Sequence, residues 1–360
     1  MEKARIQEEK MDLTKQFNWA VVGAGPSGIA AVGKLLDAGV DSSGILWIDS
    51  HFAVGDLGNK WSCVPSNTTV ELFLRFIYNC SAFEFDQHKK RFTLQDLNPK
   101  DTCLLEHIVA PLQWITDRLK NKVAVSQTTA MALKLDKGGW EIKTDQDPLF
   151  ARNVILAIGS EPKMLNHSGV QTISLETALN PEALKQSVDP KDCIAVFGSS
   201  HSAMLVLANL MNIKVRKVIN FYRSTHQYAV YLKDWILYDD TGLKGFTAAW
   251  AKQHIDHTLP KNMSRVLITD HTFTESLSEC NKAVYATGFQ RRKLPVLEQL
   301  EGLKYDDRTG IIAPGLFGLG IAFPQAQFDP LGHLNHRVGL WKFMDYLNQI
   351  LPIWMQYANS

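Results

Sequence analysis

Apolar positions in this chain gather into short runs that end at glycines. The first run, Trp19 to Val22, leads into Gly23-Ala-Gly-Pro-Ser-Gly28. A helical spacing follows, with Ile29, Val32, Leu35 and Leu36 on one face and a stop near Ala38 and Gly39. A second run, Gly44 to Ile48, halts at Asp49. Strand, glycine turn, helix, strand and acid together predict a βαβ unit. The same grammar recurs further on. Strand Cys193–Phe197 enters Gly198-Ser-Ser-His-Ser-Ala203, then come a helix over Met204–Met211 and a strand over Val218–Phe221. Two more apolar runs, Val154–Gly159 and Ala283–Gly288, close on glycine on either side of the second unit. Buried strands ending in glycine are expected where a chain crosses between domains. The spacing therefore predicts an α/β protein in which the second unit, about 162–283, is inserted into a domain made of 17–161 and 284–360.

Composition narrows the class. The 360 residues carry 38 Lys and Arg against 37 Asp and Glu, a formal charge of +1, which offers no electrostatic footprint for nucleic acid. Residues 1–16 are charged and read as an exposed helix or frayed arm, not as a secretory signal. Cys193–Val215 and Gly310–Phe328 are almost free of charge, but their serines, His201, Asn209, prolines and glycines argue for buried strand and turn segments rather than membrane spans. Five widely spaced cysteines contain no C-x-x-C pair, so reduced, mostly buried thiols in a cytoplasmic protein are expected.

The first turn has the chemistry of a diphosphate cradle. Gly23 permits the tight turn, Gly25 lets the backbone approach a pyrophosphate, and Gly28 lets helix and strand pack closely. Asp49, about 20 residues on, stands where a carboxylate takes ribose hydroxyls. In the second turn only Gly198 is kept, with Ser200 and Ala203 at the other two places. No acid follows its second strand, which ends in Tyr222-Arg223-Ser224. Arg223 can fork onto a 2′-phosphate and Ser224 can donate to it, which favours NADPH over NADH.

At this point the chain resembles the flavoproteins with two Rossmann-like, three-layer dinucleotide-binding domains, the NAD(P)H domain inserted in the FAD domain. The resemblance rests on Val21–Ala30, Ala286-Thr287-Gly288 and Gly315–Gly320. Within that group it is most similar to the class B flavin-containing monooxygenases, through Gly58-Asn-Lys-Trp61-Ser-Cys-Val-Pro-Ser-Asn67-Thr-Thr69. The resemblance implies FAD held by Gly23, Gly25, Pro26, Ser27, Gly28, Asp49, Trp61, Thr287, Gly288 and Gly320. It implies NADPH held by Gly198, Ser199, Ser200, Ser202, Arg223 and Ser224. Asn67 would be the catalytic residue beside the isoalloxazine. The implied reaction is oxygenation of a small molecule by O2 through a flavin C4a-hydroperoxide, at nitrogen, sulfur or a ketone carbon. Three departures stand beside it. The missing C-x-x-C argues against disulfide reduction, Ile321 follows Gly320 where many relatives have Asp, and Pro162–Gly169 matches the monooxygenase fingerprint only loosely. An NAD(P)H:acceptor reductase and a non-catalytic dinucleotide sensor remain alternatives.

Other clusters carry weaker signals. Tyr228, Tyr231, Trp235 and Tyr238 fall at helical spacing and would line a pocket or a core. His333 and His336, near Asp329, lack a strong third ligand, so no metal site is expected; they precede a final helix over Arg337–Ile350. His201 reads as a hydrogen-bonding spacer. Trp341, Phe343, Met344, Leu347 and Trp354 suit burial in the core or, alternatively, a homodimer face.

Overall fold

The computed structural model describes residues 16–136, 138–298, 302 and 304–357; the charged arm expected over 1–16 lies almost wholly outside them. The first unit forms as its pattern predicts, with β1 (Gln16–Val22), α1 (Pro26–Asp37) and β2 (Ile45–Ile48), the two strands pairing in parallel. Trp19 to Val22 and Ile45 to Ile48 are buried throughout. A parallel sheet covered on both faces buries every side chain, so its strands read as continuous apolar runs. The chain continues through α2 (Gly55–Asn59), β3 (Pro65–Thr69), α3 (Val70–Tyr78), β4 (Thr102–Leu104), α4 (Glu106–Lys120) and β5 (Ala124–Ser126). A meander of β6 (Ala130–Asp136), β7 (Gly139–Thr144) and β8 (Leu149–Leu156) then returns β8 alongside β1, with Leu156 opposite Val22.

The short β9 (Ser160–Pro162) leads out of this domain. The second domain holds β10 (Gln171–Ile173), α5 (Leu175–Leu179), α6 (Pro181–Ser187), β11 (Cys193–Phe197), α7 (His201–Ile213) and β12 (Lys217–Tyr222). After β13 (Val230–Tyr231) and β14 (Ile236–Leu237) it adds α8 (Gly245–Ala251), β15 (Met263–Leu267), α9 (Phe273–Ser278) and β16 (Lys282–Tyr285). Its parallel sheet has the order β10-β16-β11-β12-β15. β16 sits inside that sheet, with Ala283 opposite Ala195. The boundary expected at residue 283 therefore moves to the return link, β17 (Phe289–Arg291), which pairs antiparallel with β9. The two links thus form one ribbon.

Back in the first domain come β18 (Val296–Glu298), β19 (Ile311–Ala313), β20 (Leu316–Gly318), the hairpin β21 (Gln325–Phe328) and β22 (Leu334–Arg337), and α10 (Leu340–Tyr357). The last helix begins at Leu340 rather than Arg337, because Leu334–Arg337 pairs as a strand of the hairpin. Met344, Leu347 and Trp354 are buried in the core that α10 shares with α1, Phe343 is buried as well, and Trp341 is only partly buried. The aromatic series from Tyr228 to Tyr238 does not form a helix. Val230 pairs with Leu237 and Tyr231 with Ile236 across a tight hairpin. No helix among the described residues is long and apolar enough to cross a membrane. All five cysteines are free, and Cys80, Cys193 and Cys280 are buried.

Candidate functional site

The two glycine turns are built on the same plan. Gly23 N–H donates to Ile48 O (2.8 Å), and Gly198 N–H to Phe221 O (2.9 Å). Each turn carbonyl is gripped by the side chain one residue earlier on the second strand: Trp47 Nε1 donates to Gly23 O (3.0 Å), and Asn220 Nδ2 to Gly198 O (2.8 Å). Each turn glycine has positive φ and lies against a carbonyl of the crossing strand. A Cβ on Gly23 would come within 2.3 Å of Ala157 O, and one on Gly198 within 2.3 Å of Ala286 O. Neither turn accepts another residue. Trp47 and Asn220, dissimilar residues at equivalent places, carry no sequence signal; their shared role shows only in these contacts.

The first turn fits a diphosphate. Gly25 caps α1 with no side-chain bond, Pro26 occupies the first turn, and no acid lies there. The leading amides of a helix have no intrahelical acceptor and carry a positive dipole end, so they are available to an anion. A Cβ at Gly25 would meet nothing nearer than Gly55 Cα at 4.0 Å, so the space beside it is open. Gly28 is different, since a Cβ there would fall 1.8 Å from Gly23 O. Gly320 packs on Ser27, with room for no side chain: a Cβ would lie 2.0 Å from Ser27 Oγ. Asp49 accepts from Ala24 N–H (2.7 Å), His51 N–H (2.8 Å) and Phe52 N–H (2.8 Å), which fixes its carboxylate at the mouth of the turn.

At the second turn, α7 likewise has an uncapped N-terminus at Ser200 and no acid in its first turn. Ser199 and Ser202 are half-buried around it. The residue equivalent to Asp49 is Tyr222, because Phe221 takes the place of Ile48. Arg223 and Ser224 follow on the exposed surface. A second cation arrives from β15: the Arg265 guanidinium lies 4.3 Å from the Tyr222 ring centroid, and its Nε donates to Asn220 Oδ1 (2.9 Å). Burial lowers the Arg265 pKa from its ordinary value, and its buried Nη2 has no hydrogen-bond partner. Nothing near Arg265 in the sequence marks it; the pairing of β12 with β15 places it there.

Between the domains, β3 and the residues before it form a seam. Val64 is buried among second-domain side chains, and Trp61 packs there too, edge-on to Phe289 at 6.2 Å. Asn67 Nδ2 donates to Gly242 O (3.0 Å), and its Oδ1 accepts from Lys244 N–H (3.0 Å). Both ends of the amide thus hold the 242–244 segment. Thr287 and Gly288 lie at the return link, where Thr287 Oγ1 donates to Lys163 O (3.3 Å) and Gly288 faces open space. His201 Nε2 donates to Pro65 O (2.8 Å), and Nδ1 lies 3.1 Å from Thr247 Oγ1. Burial pushes the His201 pKa down to about 4, so it stays neutral and is a poor proton acceptor at neutral pH. The unfolded chain takes up this proton near 6.5. Stability from neutral His201 is therefore full above about 6.5 and is lost as pH falls toward about 4, on the order of 3 kcal/mol. Urea unfolding followed between those pH values should show this loss, and His201→Gln should flatten the profile. An identical pH profile in the variant would contradict the assignment.

Beside the seam opens a cavity of about 980 Å³. It is walled by the start of α3, the 227–241 excursion, the β21–β22 hairpin and the first turn of α10. Tyr231, Trp235 and Tyr238 face it, whereas Tyr228 instead donates to Asp256 (2.6 Å). His333 bonds Asp329 (3.2 Å) and His336 lies 3.7 Å from Asp307. No group among the described residues could hold a metal ion.

Two glycine turns of one plan, the first in a mixed sheet and the second in a parallel one, joined by a paired ribbon, give an α/β fold with two candidate nucleotide sites. The family model for the pyridine nucleotide-disulphide oxidoreductases matches residues 20–313, and the chain belongs to that family. Over 382 aligned positions it is 29% identical to "Monooxygenase AgnR1" of Paecilomyces divaricatus, covering 93% of this chain and 97% of that protein. The flavin-containing monooxygenase from Stenotrophomonas maltophilia shares the fold with a TM-score of 0.65 at 13% identity, over 96% of this chain and 99% of that one. The L-lysine 6-monooxygenase from Pseudomonas syringae does so with a TM-score of 0.63 at 14% identity, over 95% and 100%. The chain is a flavin monooxygenase-like oxidoreductase dependent on FAD and a nicotinamide nucleotide.

Proposed function

We propose that the chain oxygenates a small organic molecule at the expense of NADPH and O2. The first turn would hold the FAD diphosphate through the α1 amides and the bare face of Gly25, with Asp49 taking ribose hydroxyls. The second turn would hold NADPH through the α7 amides, with Arg223 and Arg265 meeting the 2′-phosphate. Bound FAD supplies hydride acceptance and O2 activation; the protein supplies position and dryness. The observation that carries the reading is the cavity walled in part by the 227–241 excursion, whose next residues, Gly242 and Lys244, are bonded by Asn67. It is lined by aromatic and charged side chains and by no cysteine, which suits an organic substrate rather than a dithiol. Asn67 would act through its amide at the seam, where it also holds Gly242 and Lys244 just beyond the cavity wall at Thr241. No side-chain nucleophile or base is called for, and neutral His201 is engaged elsewhere.

The test is the yield of hydrogen peroxide after anaerobic reduction by NADPH and readmission of O2. A monooxygenase site excludes water, so wild-type enzyme should release peroxide slowly. Asn67→Ala should keep FAD but release peroxide at least about ten times faster, the order of loss from removing one placed hydrogen-bonding group. Immediate release by the wild-type enzyme would point to an acceptor reductase instead.

A further inference from the structure

The charges around the cavity do not all find partners within the protein. Trp341, in the first turn of α10, lies between two guanidinium groups, with Arg75 4.8 Å and Arg337 5.3 Å from its ring centroid. Arg75 is neutralised by Asp345 at 2.6 Å. Lys342 is paired with Asp239 (2.6 Å) and Asp240 (2.5 Å), and Lys244 is also bound to Asp239. His333 is taken by Asp329. Glu71, Lys233 and Asp234 stand exposed at the rim. Arg337 is half-buried and has only a neutral partner, donating from Nη1 to Gln325 Oε1 (3.1 Å), with no ion pair among the described residues. Burial, with a smaller push from Arg75, lowers its pKa from the ordinary value against the pull of Asp345, Asp240 and Asp239.

The walls opposite are aromatic and open. Tyr231 is 54% exposed and Phe328 61%, although both line the same cavity as Trp235 and Trp341. A planar ring system would cover them, since aromatic side chains gain most from stacked or edge contacts. A guanidinium with no ion pair of its own matches an anionic oxygen on that ring, bound in forked fashion. A volume of about 980 Å³ exceeds the need of one ring.

We propose that the cavity binds an aromatic anion of two or more fused rings, its carboxylate or phenolate on Arg337 and its ring plane against Trp235 and Phe328. This rests on the monooxygenase reading in that the bound anion would be the molecule oxygenated. The probes are naphthalene-2-carboxylate and the neutral naphthalene-2-methanol, titrated into FAD-loaded protein by calorimetry. The carboxylate should bind at least about tenfold more tightly. Arg337→Gln should weaken it by roughly 30-fold, about 2 kcal/mol at 1.4 kcal/mol per tenfold, and leave the alcohol within about twofold. Arg337→Lys should recover part of the loss, and Trp235→Ala should weaken both probes. FAD content serves as the folding control for each variant.

Equal binding of the two probes, or an unchanged affinity in Arg337→Gln, would overturn the proposal. So would sedimentation showing dimers that naphthalene-2-carboxylate does not dissociate and that Phe328→Glu makes monomeric, because that face would then belong to a second copy. The two readings fail separately. Probe binding as described without NADPH-dependent flavin reduction removes the monooxygenase and keeps the aromatic-anion site; reduction without discrimination by Arg337 does the reverse.

Discussion

Gly25→Ala should fold as the wild type does and bind FAD roughly 100-fold more weakly, because the proposed role of this glycine is close approach to the diphosphate. The backbone at Gly25 is extended, with φ −74° and ψ 178°, which any residue adopts. An added Cβ would meet no protein atom closer than 4.0 Å. The methyl group therefore costs the apoprotein little and occupies only the space beside the α1 amides. Gly28→Ala is the instructive contrast. Its Cβ would lie 1.8 Å from Gly23 O, so helix and turn must separate, at a cost on the order of 3 kcal/mol to the fold itself. Thermal unfolding of the two apoproteins and calorimetry with FAD distinguish them. If Gly25→Ala binds FAD as tightly as the wild type, the diphosphate does not lie where the first turn places it.

The second large effect is expected at Arg223. Arg223→Ala should raise the KM for NADPH by roughly 30-fold and leave that for NADH within about twofold, since a forked guanidinium–phosphate contact is lost only with the phosphorylated nucleotide. The position equivalent to Asp49 is Tyr222, so no carboxylate repels a 2′-phosphate there. Arg265 adds a second cation over the Tyr222 ring. Arg265→Gln should push the preference in the same direction, with some added loss of packing. Steady-state rates with both nucleotides decide it; equal losses for NADPH and NADH would remove the 2′-phosphate role.

What the sequence reveals of this molecule is what is local. Both βαβ units, their turns and the acid after the first are legible because each lies within one short stretch of apolar periodicity and glycine. The failures also have physical reasons. Tyr228, Tyr231, Trp235 and Tyr238 imitate a helical stripe, yet Lys233 and Asp234 sit in a tight turn, and Val230 and Tyr231 find strand partners instead. The run Ala283–Tyr285 is recognisable as a strand, but nothing in it says which sheet it joins. Asn67 is visible as a special residue, whereas its two bonds to Gly242 and Lys244 span the domains. Trp47, Asn220, Arg265 and Arg337 matter through contacts made only after the sheets and the hairpin assemble. A charge without a partner cannot be recognised until the partners of its neighbours are known.

The most direct measurement is the visible spectrum of the purified chain, loaded with FAD and then mixed anaerobically with NADPH. The account predicts a yellow protein holding one FAD per chain, whose flavin band bleaches with NADPH and much more slowly with NADH. A protein that stays colourless after incubation with FAD, or a bound flavin that NADPH leaves oxidised, would contradict it.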